Sequence, residues 1–415
     1  MFRYFSALII IVVSLNAQTP VYINLGSHNE VTDPILYDTD SVGFMQSRSY
    51  LIELANIVVS KNAKYNFQAD WRFLQGVINF DKGNDPSTNG KNVLKWLSED
   101  SQKKIQVDAH SHQSNGYNYA DVAQLISNCG VSDSKIVGGF LWNDTLGLKS
   151  WLLFENGMRG EKFPLKIWKP DIVWGSATKG MFHNGDLNAF GSWRPAGAWN
   201  MMTHDPSKRV RLHGNACHNQ VTDSTEITDN LNTLNEMLDA ISSGRLPAGN
   251  FYTATIMFNQ RDFSTEYIQK ISSLIDSLNV LAQSGKIVWG TVGEKDSIWR
   301  NEYGGSPHFI TCDNYLTSID DPESTPETIE VGQNYPNPFN PSTVINYSLA
   351  EGGNIFFRIY DIQGREVATI LDEYREAGHH SLMIDAAKYS LNSGVYFYCL
   401  SAGGKTITRK MVLLK

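Results

Sequence analysis

The stretch that decides the fold is Ile105-Gln106-Val107-Asp108-Ala109-His110-Ser111-His112. Its apolar residues fall at every second position. An extended chain therefore turns Ile105, Val107 and Ala109 to one side and Gln106, Asp108, His110 and His112 to the other. Such a strand belongs between a hydrophobic layer and a place where carboxylate and imidazole groups are used. The inside of a β-barrel wrapped in helices meets both needs, because the outer sheet face packs on helices and the strand ends open on a site.

Segments of the same kind lie on both sides of this strand, which spans Lys104–His110. Val21–Leu25, Tyr65–Trp71, Lys135–Leu141, Asp171–Ala177, Phe251–Phe258 and Lys286–Val292 read as strands, with Val210–Asn215 as an eighth candidate. Helical patterns alternate with them. Leu51, Leu54, Ala55 and Val58 share a helical face, as do Val122, Leu125, Ile126 and Cys129, with Gly130 placed as a C-terminal cap. Ile227, Leu231, Leu234, Leu238 and Ile241 form a stripe ended by Gly244, and Ile268, Ile271, Ile275 and Leu278 form another before Gly285. The repetition predicts an α/β protein whose large domain is a (β/α)7–8 barrel, with an open doubly wound sheet as the alternative. No glycine-rich phosphate loop follows the first strand, which argues against a nucleotide-binding version.

Other polar groups follow the same spacing. Asn24, Gly26, His28 and Glu30 share the face opposite Val21, Ile23 and Leu25, so His28 and Glu30 are expected at the barrel mouth. Glu294 follows Val288, Gly290 and Val292 at strand spacing and is expected to face the same mouth. Asp70 ends the second strand, and Asn143 and Asp144 follow the fourth. Trp193-Arg194-Pro195-Ala196-Gly197, with Trp199 just beyond, forms an aromatic loop suited to lining a sugar cleft. His204, His213 and His218, in or near the sixth strand, read singly as structural histidines.

The chain's 415 residues exceed one ordinary domain. Residues 1–17 have Arg3, an apolar run from Ala7 to Leu15 and small residues before Gln18, the pattern of a signal peptide. Residues 18–318 hold the barrel. Residues 319–333 are rich in Asp, Glu, Ser, Thr and Pro, as a solvated linker is. Residues 334–415 contain short strand-like runs punctuated by glycines and predict a small all-β immunoglobulin-like sandwich. No other stretch is long and apolar enough to anchor the chain in a membrane. The formal net charge of −8, with no basic patch, argues against nucleic acid as a partner. Cys129, Cys217, Cys312 and Cys399 match no zinc ribbon or redox motif, so disulfides and free buried thiols stay open.

The last segment carries a resemblance of high specificity. "NYPNPFNPSTVINYSL" from Asn334, then "IYDIQGREVATIL", "SGVYFYCL" and the ending "TITRKMVLLK" resemble, in order, the type A sorting domain of type IX secretion. The resemblance implies passage through the periplasm and outer membrane by the type IX secretion machinery, removal of this domain, and a secreted or cell-surface product. The large module resembles polysaccharide deacetylases and related glycoside hydrolase barrels. Asp108, His110 and His112 look like that family's metal-binding motif, and His28 and Glu30 sit where its first-strand motif would be. The family has paired aspartates where this chain has His28-Asn29-Glu30, and a second His where this chain has Ser114.

The resemblance implies a deacetylase-like, metal-dependent hydrolase of a polysaccharide or glycan. His28, His110 and His112 would hold a divalent metal, zinc by preference, which would polarise an acyl carbonyl and activate water. Asp108 would be a ligand or the base, Glu30 or Glu294 the acid, and Trp193, Arg194 and Trp199 would bind sugar. Two alternatives come from other classes. One is a metal-independent glycosidase pairing Asp108 with Glu294. The other is a non-catalytic surface protein that binds glycan through Trp193 and Trp199.

Overall fold

A computed structural model describes residues 19–29, 34–140, 145–175, 178–179, 187, 189–215, 219–222, 227–312, 329–334, 337–375 and 377–414. They fall into two units that part at Ser318. The signal-peptide segment lies outside the described residues.

The large unit begins with β1 (Val21–His28), α1 (Ser41–Ser60), β2 (Tyr65–Ala69), α2 (Trp71–Phe80), α3 (Val93–Asp100), β3 (Ile105–His110) and α4 (Tyr119–Asn128). It continues with β4 (Ile136–Gly138), α5 (Thr145–Asn156), β5 (Met158–Arg159), β6 (Ile167–Trp168), β7 (Ile172–Trp174), β8 (Thr178–Lys179), β9 (Ala189–Trp193) and β10 (Arg211–His213). β11 (Asn219–Thr222), α6 (Ile227–Ser242), β12 (Tyr252–Asn259), α7 (Thr265–Gln283), β13 (Ile287–Trp289), α8 (Val292–Glu302) and β14 (His308–Thr311) complete it. Side-chain caps start the helices. Asp70 accepts from Arg72 N and Phe73 N to begin α2, and reciprocal capping boxes, Asn118 with Asp121 and Thr291 with Glu294, begin α4 and α8.

Every strand expected from the sequence is present. β1 is parallel to β12 along one edge, and its other edge is shared by β13 and β2. From β2 the parallel order runs β3, β4, β7, β10. Thr253 Oγ1 on β12 donates to Gly214 O just past β10 at 2.8 Å, so the sheet is nearly closed. It is barrel-like without the plain repeat. β9 runs antiparallel to both β10 and β14, and α8 does not join the outer helices.

The predicted facing holds. Ile23, Leu25, Phe67, Val107 and Ala109 share one apolar cluster with Leu51, Leu54, Val122, Ile271 and Leu278 from the helices. Each Val, Leu, Ile or Phe among them contributes about 1.5–3 kcal/mol on burial. The inner face is polar in most positions: Asn24, Asn66, Gln68, Asp108, His110 and Thr255 are buried. A smaller inner cluster joins Ile136, Ile172, Trp174, Met257 and Val292.

The C-terminal unit is all β. β15 (Glu330–Val331), β16 (Ser342–Leu349) and β19 (Gly378–Asp385) form one sheet, and β18 (Glu366–Arg375), β17 (Gly353–Tyr360), β20 (Gly394–Ala402) and β21 (Lys405–Leu413) another. Ile345, Phe357, Ile359, Tyr398, Leu400 and Met411 are among its core residues. The segment read as linker ends in a strand, β15, with Val331 buried in that core. β18 was not legible because it is an edge strand, largely exposed, with charged residues on both faces.

Candidate functional site

At the C-terminal ends of β1 and β3 three imidazoles meet. His28 and His110 lie edge to face with centroids 4.7 Å apart, and His110 and His112 likewise at 4.9 Å. The sequence alternation delivers two of them. His28 ends β1 and His110 ends β3, each on the inward face, with β2 between them in the sheet. His28 and His110 are buried and His112 is half-buried.

Carboxamides hold two of the rings. His110 Nδ1 lies 3.1 Å from Gln68 Oε1, and His28 Nε2 lies 3.1 Å from Asn259 Oδ1. An amide oxygen only accepts, so Nδ1 of His110 and Nε2 of His28 carry the hydrogens. Space for this arrangement comes from Gly138 and Gly139 at the end of β4. A Cβ on Gly138 would fall 1.9 Å from Gln68 Nε2, and Gly139, at φ +76°, would meet Ser111 O at 2.8 Å.

Asp108 lies one layer deeper, fully buried. Its Oδ2 accepts from Asn66 Nδ2 at 2.7 Å and its Oδ1 from Gln106 Nε2 at 2.6 Å. Burial pushes its pKa up to about 6, against the pull of Asn66, Ser134 and Gln106. The amides continue downward to α8, which closes the lower end of the barrel. Asn24 Nδ2 donates to Asn66 Oδ1, Lys295 Nζ donates to Asn24 Oδ1, and Gly293 N donates to Gln106 Oε1. Lys295 is fully enclosed, and desolvation lowers its pKa to about 7.

The structure corrects several expectations. β13 stops at Trp289 and the chain turns into α8, so Glu294 sits in that helix's first turn. There it caps the helix and pairs with Lys64, which precedes β2, at the end of the sheet away from the imidazoles. Asp108 faces inward and Glu294 outward, so they do not share a cleft. Trp193 is fully buried, with its Nε1 donating to Met201 O at 2.6 Å. Because β9 is antiparallel to β10, with Trp193 opposite Leu212, the loop after Trp193 leaves the sheet at its lower end. Arg194 there donates to Lys208 O and lies over the Trp299 ring of α8. Trp199 is 48% exposed, on a loop at that same lower end. None of the three lines the mouth. Asp70 is a helix cap. Glu30, Asn143, Asp144 and His218 lie outside the described residues.

Three residues away from the mouth form a hydrogen-bonded Ser–His–Asp line. Ser192 Oγ lies 2.7 Å from His213 Nδ1, and His213 Nε2 lies 2.9 Å from Asp296 Oδ1. All three are buried, and Arg211 and Arg300 also pair with Asp296. Burial alone would raise the Asp296 pKa, but His213 and Arg211 overcome it and hold the carboxyl well below its usual range. Desolvation lowers the His213 pKa, against the pull of Asp296. The line joins β9, β10 and α8 and closes the barrel floor.

Among the described residues no group of three or more His, Cys, Asp or Glu side chains is arranged to hold a metal ion. His28 and His110 each commit one nitrogen to a carboxamide, and Asp108 turns away into the amide chain. Each ring has a second nitrogen, as imidazoles with an orienting partner do at metal sites, and Glu30, two residues beyond His28, lies outside the described residues. Cys312 is disulfide-bonded, while Cys129 and Cys399 are free.

Residues 333–414 match the family model of the secretion system C-terminal sorting domain. The C-terminal unit is a type IX secretion sorting domain. This sorting domain marks the chain for the cell surface or the extracellular space. Among the described residues no helix is long and apolar enough to cross a membrane. No curated protein matches the chain. Among solved structures, PorZ, a surface component of the type IX secretion system of Porphyromonas gingivalis, aligns at 19% identity. That alignment covers 22% of this chain and 12% of PorZ, with a TM-score of 0.16. An endo-β-1,4-mannanase from Thermotoga petrophila aligns at 9% identity over 96% of this chain and 99% of its own, with a TM-score of 0.21. An engineered protein aligns at 10% identity over 95% and 93%, with a TM-score of 0.20. Superpositions this poor establish no shared fold or chemistry.

Proposed function

We propose that the large unit is a hydrolase of exported or surface glycans, deacetylase-like in the bond it breaks, with its reacting centre on the imidazole row. The observation that carries this reading is the edge-to-face series His28, His110 and His112, two rings buried and one half-buried, at the C-terminal ends of parallel strands. Acyl hydrolysis needs a base that takes the proton of the attacking water and an acid that returns one to the leaving oxygen or nitrogen. His110 suits the first role, since Gln68 fixes its ring at the end of β3. His112, half-buried at the mouth, is placed for the second. A glycosidase of the ordinary kind needs two carboxylates across one cleft, and Asp108 and Glu294 do not provide them. Export by the sorting domain places the enzyme where acylated polysaccharides are met.

The test is acetate release from acetylated polysaccharides by the purified full-length protein and by His110→Ala and His112→Ala. Loss of a positioned acid or base is expected to slow release by about 10²–10⁴-fold, with the folded state retained by circular dichroism. Reducing sugar released in place of acetate, or full activity in both variants, would overturn the reading.

A further inference from the structure

An aromatic platform stands at the same end of the barrel. Trp71, the first residue of α2, and Tyr117, in the loop between β3 and α4, stack with centroids 4.6 Å apart and planes 2° from parallel. The loop ties the platform to the imidazole row. Ser111, between His110 and His112, donates its hydroxyl to Tyr117 O at 3.4 Å, and Tyr117 N donates to Ser114 O at 3.0 Å. Trp71 covers one face of Tyr117. Over the ring also lies the ammonium of Lys162, 5.5 Å from the centroid, on an exposed side chain that must use the face Trp71 leaves.

Lys162 is delivered there by a clamp. Asp121, buried in the first turn of α4, accepts from the backbone N–H groups of Glu161, Lys162 and Phe163 at 2.9, 3.0 and 2.8 Å. Gly116, at φ +73°, leaves passage for the lysine stem, since a Cβ there would lie 3.1 Å from Lys162 Cε.

We propose that the Lys162-covered face of Tyr117 is a sugar-stacking subsite for the glycan that the imidazole row hydrolyses, with Lys162 as a displaceable cover. The proposal takes its ligand class from the hydrolase reading. A ring backed by a second ring at stacking distance is already ordered, so little entropy is lost when a sugar face settles on it. The cover is weak: a cation over an exposed aromatic face amounts to roughly two- to fivefold in affinity.

Calorimetric titration of the full-length protein with cellotetraose, xylotetraose and chitotetraose tests this. At least one tetrasaccharide is expected to bind. Tyr117→Ala should weaken that binding at least tenfold, Tyr117→Phe should leave it intact, and Lys162→Ala should tighten it roughly two- to fivefold. Unchanged affinity in Tyr117→Ala, or no binding of any of the three, overturns the subsite. Should Tyr117→Ala fail to fold, unchanged affinity in the surface variant Lys162→Ala overturns it instead. The two readings fail separately. Tyr117-dependent binding without acetate release leaves the subsite and removes the hydrolase, whereas acetate release indifferent to Tyr117 does the reverse.

Discussion

Gln68 orients the His110 ring, and it does so with one hydrogen bond of 3.1 Å. Gln68→Leu would free the ring to rotate. Hydrolysis is expected to fall about 10- to 100-fold, the usual cost of removing an orienting partner, with KM unchanged and steady-state kinetics as the measurement. Gly138→Ala should act in the same way, because its new methyl group would occupy the place of the Gln68 amide. His28, His110 and the alternation that turns them inward were legible, because a strand's period of two needs no partner to be read. Gln68 and Asn259 were not, since a single amide on a strand carries no pattern until the neighbouring strand brings an imidazole to it.

Two buried groups of opposite sign also give a pH signature at this scale. Asp108, raised to about 6 by burial, binds a proton more readily in the folded than in the unfolded chain. Its contribution to stability is full below about 4 and is lost as pH rises through 6. Lys295, lowered to about 7, holds its proton less readily when folded. Its burial penalty is present below 7 and is relieved as pH rises from about 7 to 10.5. Thermal melts should therefore show lowest stability between pH 6 and 7. Asp108→Asn should remove the fall on the acid side and Lys295→Met the rise on the alkaline side.

At the scale of elements, α8 is where the sequence reading and the structure part. Lys286–Val292 has the hydrophobic spacing of a strand, and continuing that spacing puts Glu294 at the mouth. The competing signal was Thr291-Val292-Gly293-Glu294, a capping box that stops the strand and starts a helix. The helix then inserts Lys295, Asp296 and Trp299 into the barrel floor. Asp296 neutralises Arg211 and Arg300 and accepts from His213. Asp296→Ala leaves these groups uncompensated and is expected to cost about 3–5 kcal/mol, read by urea unfolding. Ser192→Ala removes one hydrogen bond of this line and should cost about 1 kcal/mol, with hydrolysis unaffected because Ser192 serves the floor of the barrel.

For the whole molecule, the sorting domain and the large unit have separate cores. Deleting residues 333–414, the segment matching the sorting family, should abolish appearance of the protein at the cell surface and in the medium. Cell fractionation and immunoblotting would show the truncated chain retained inside the outer membrane. Full surface delivery without those residues would show that another segment carries the address.

The sequence by itself determined β1, β2, β3, β4, β7, β10, β12 and β13, the side the first of these turn to the helices, the glycine ends of α4, α6 and α7, and the sorting domain. All of these are encoded over a few consecutive residues, by periodicity, capping chemistry or an ordered motif. Only the tertiary structure decided which polar groups meet. It joined His28, Gln68, His110 and Asn259 at one end of the barrel. It sent Trp193, Arg194, Trp199 and Glu294 to the other end, because β9 runs antiparallel and α8 turns inward. Strand direction and helix insertion depend on residues far apart in the chain, and a local pattern cannot record them.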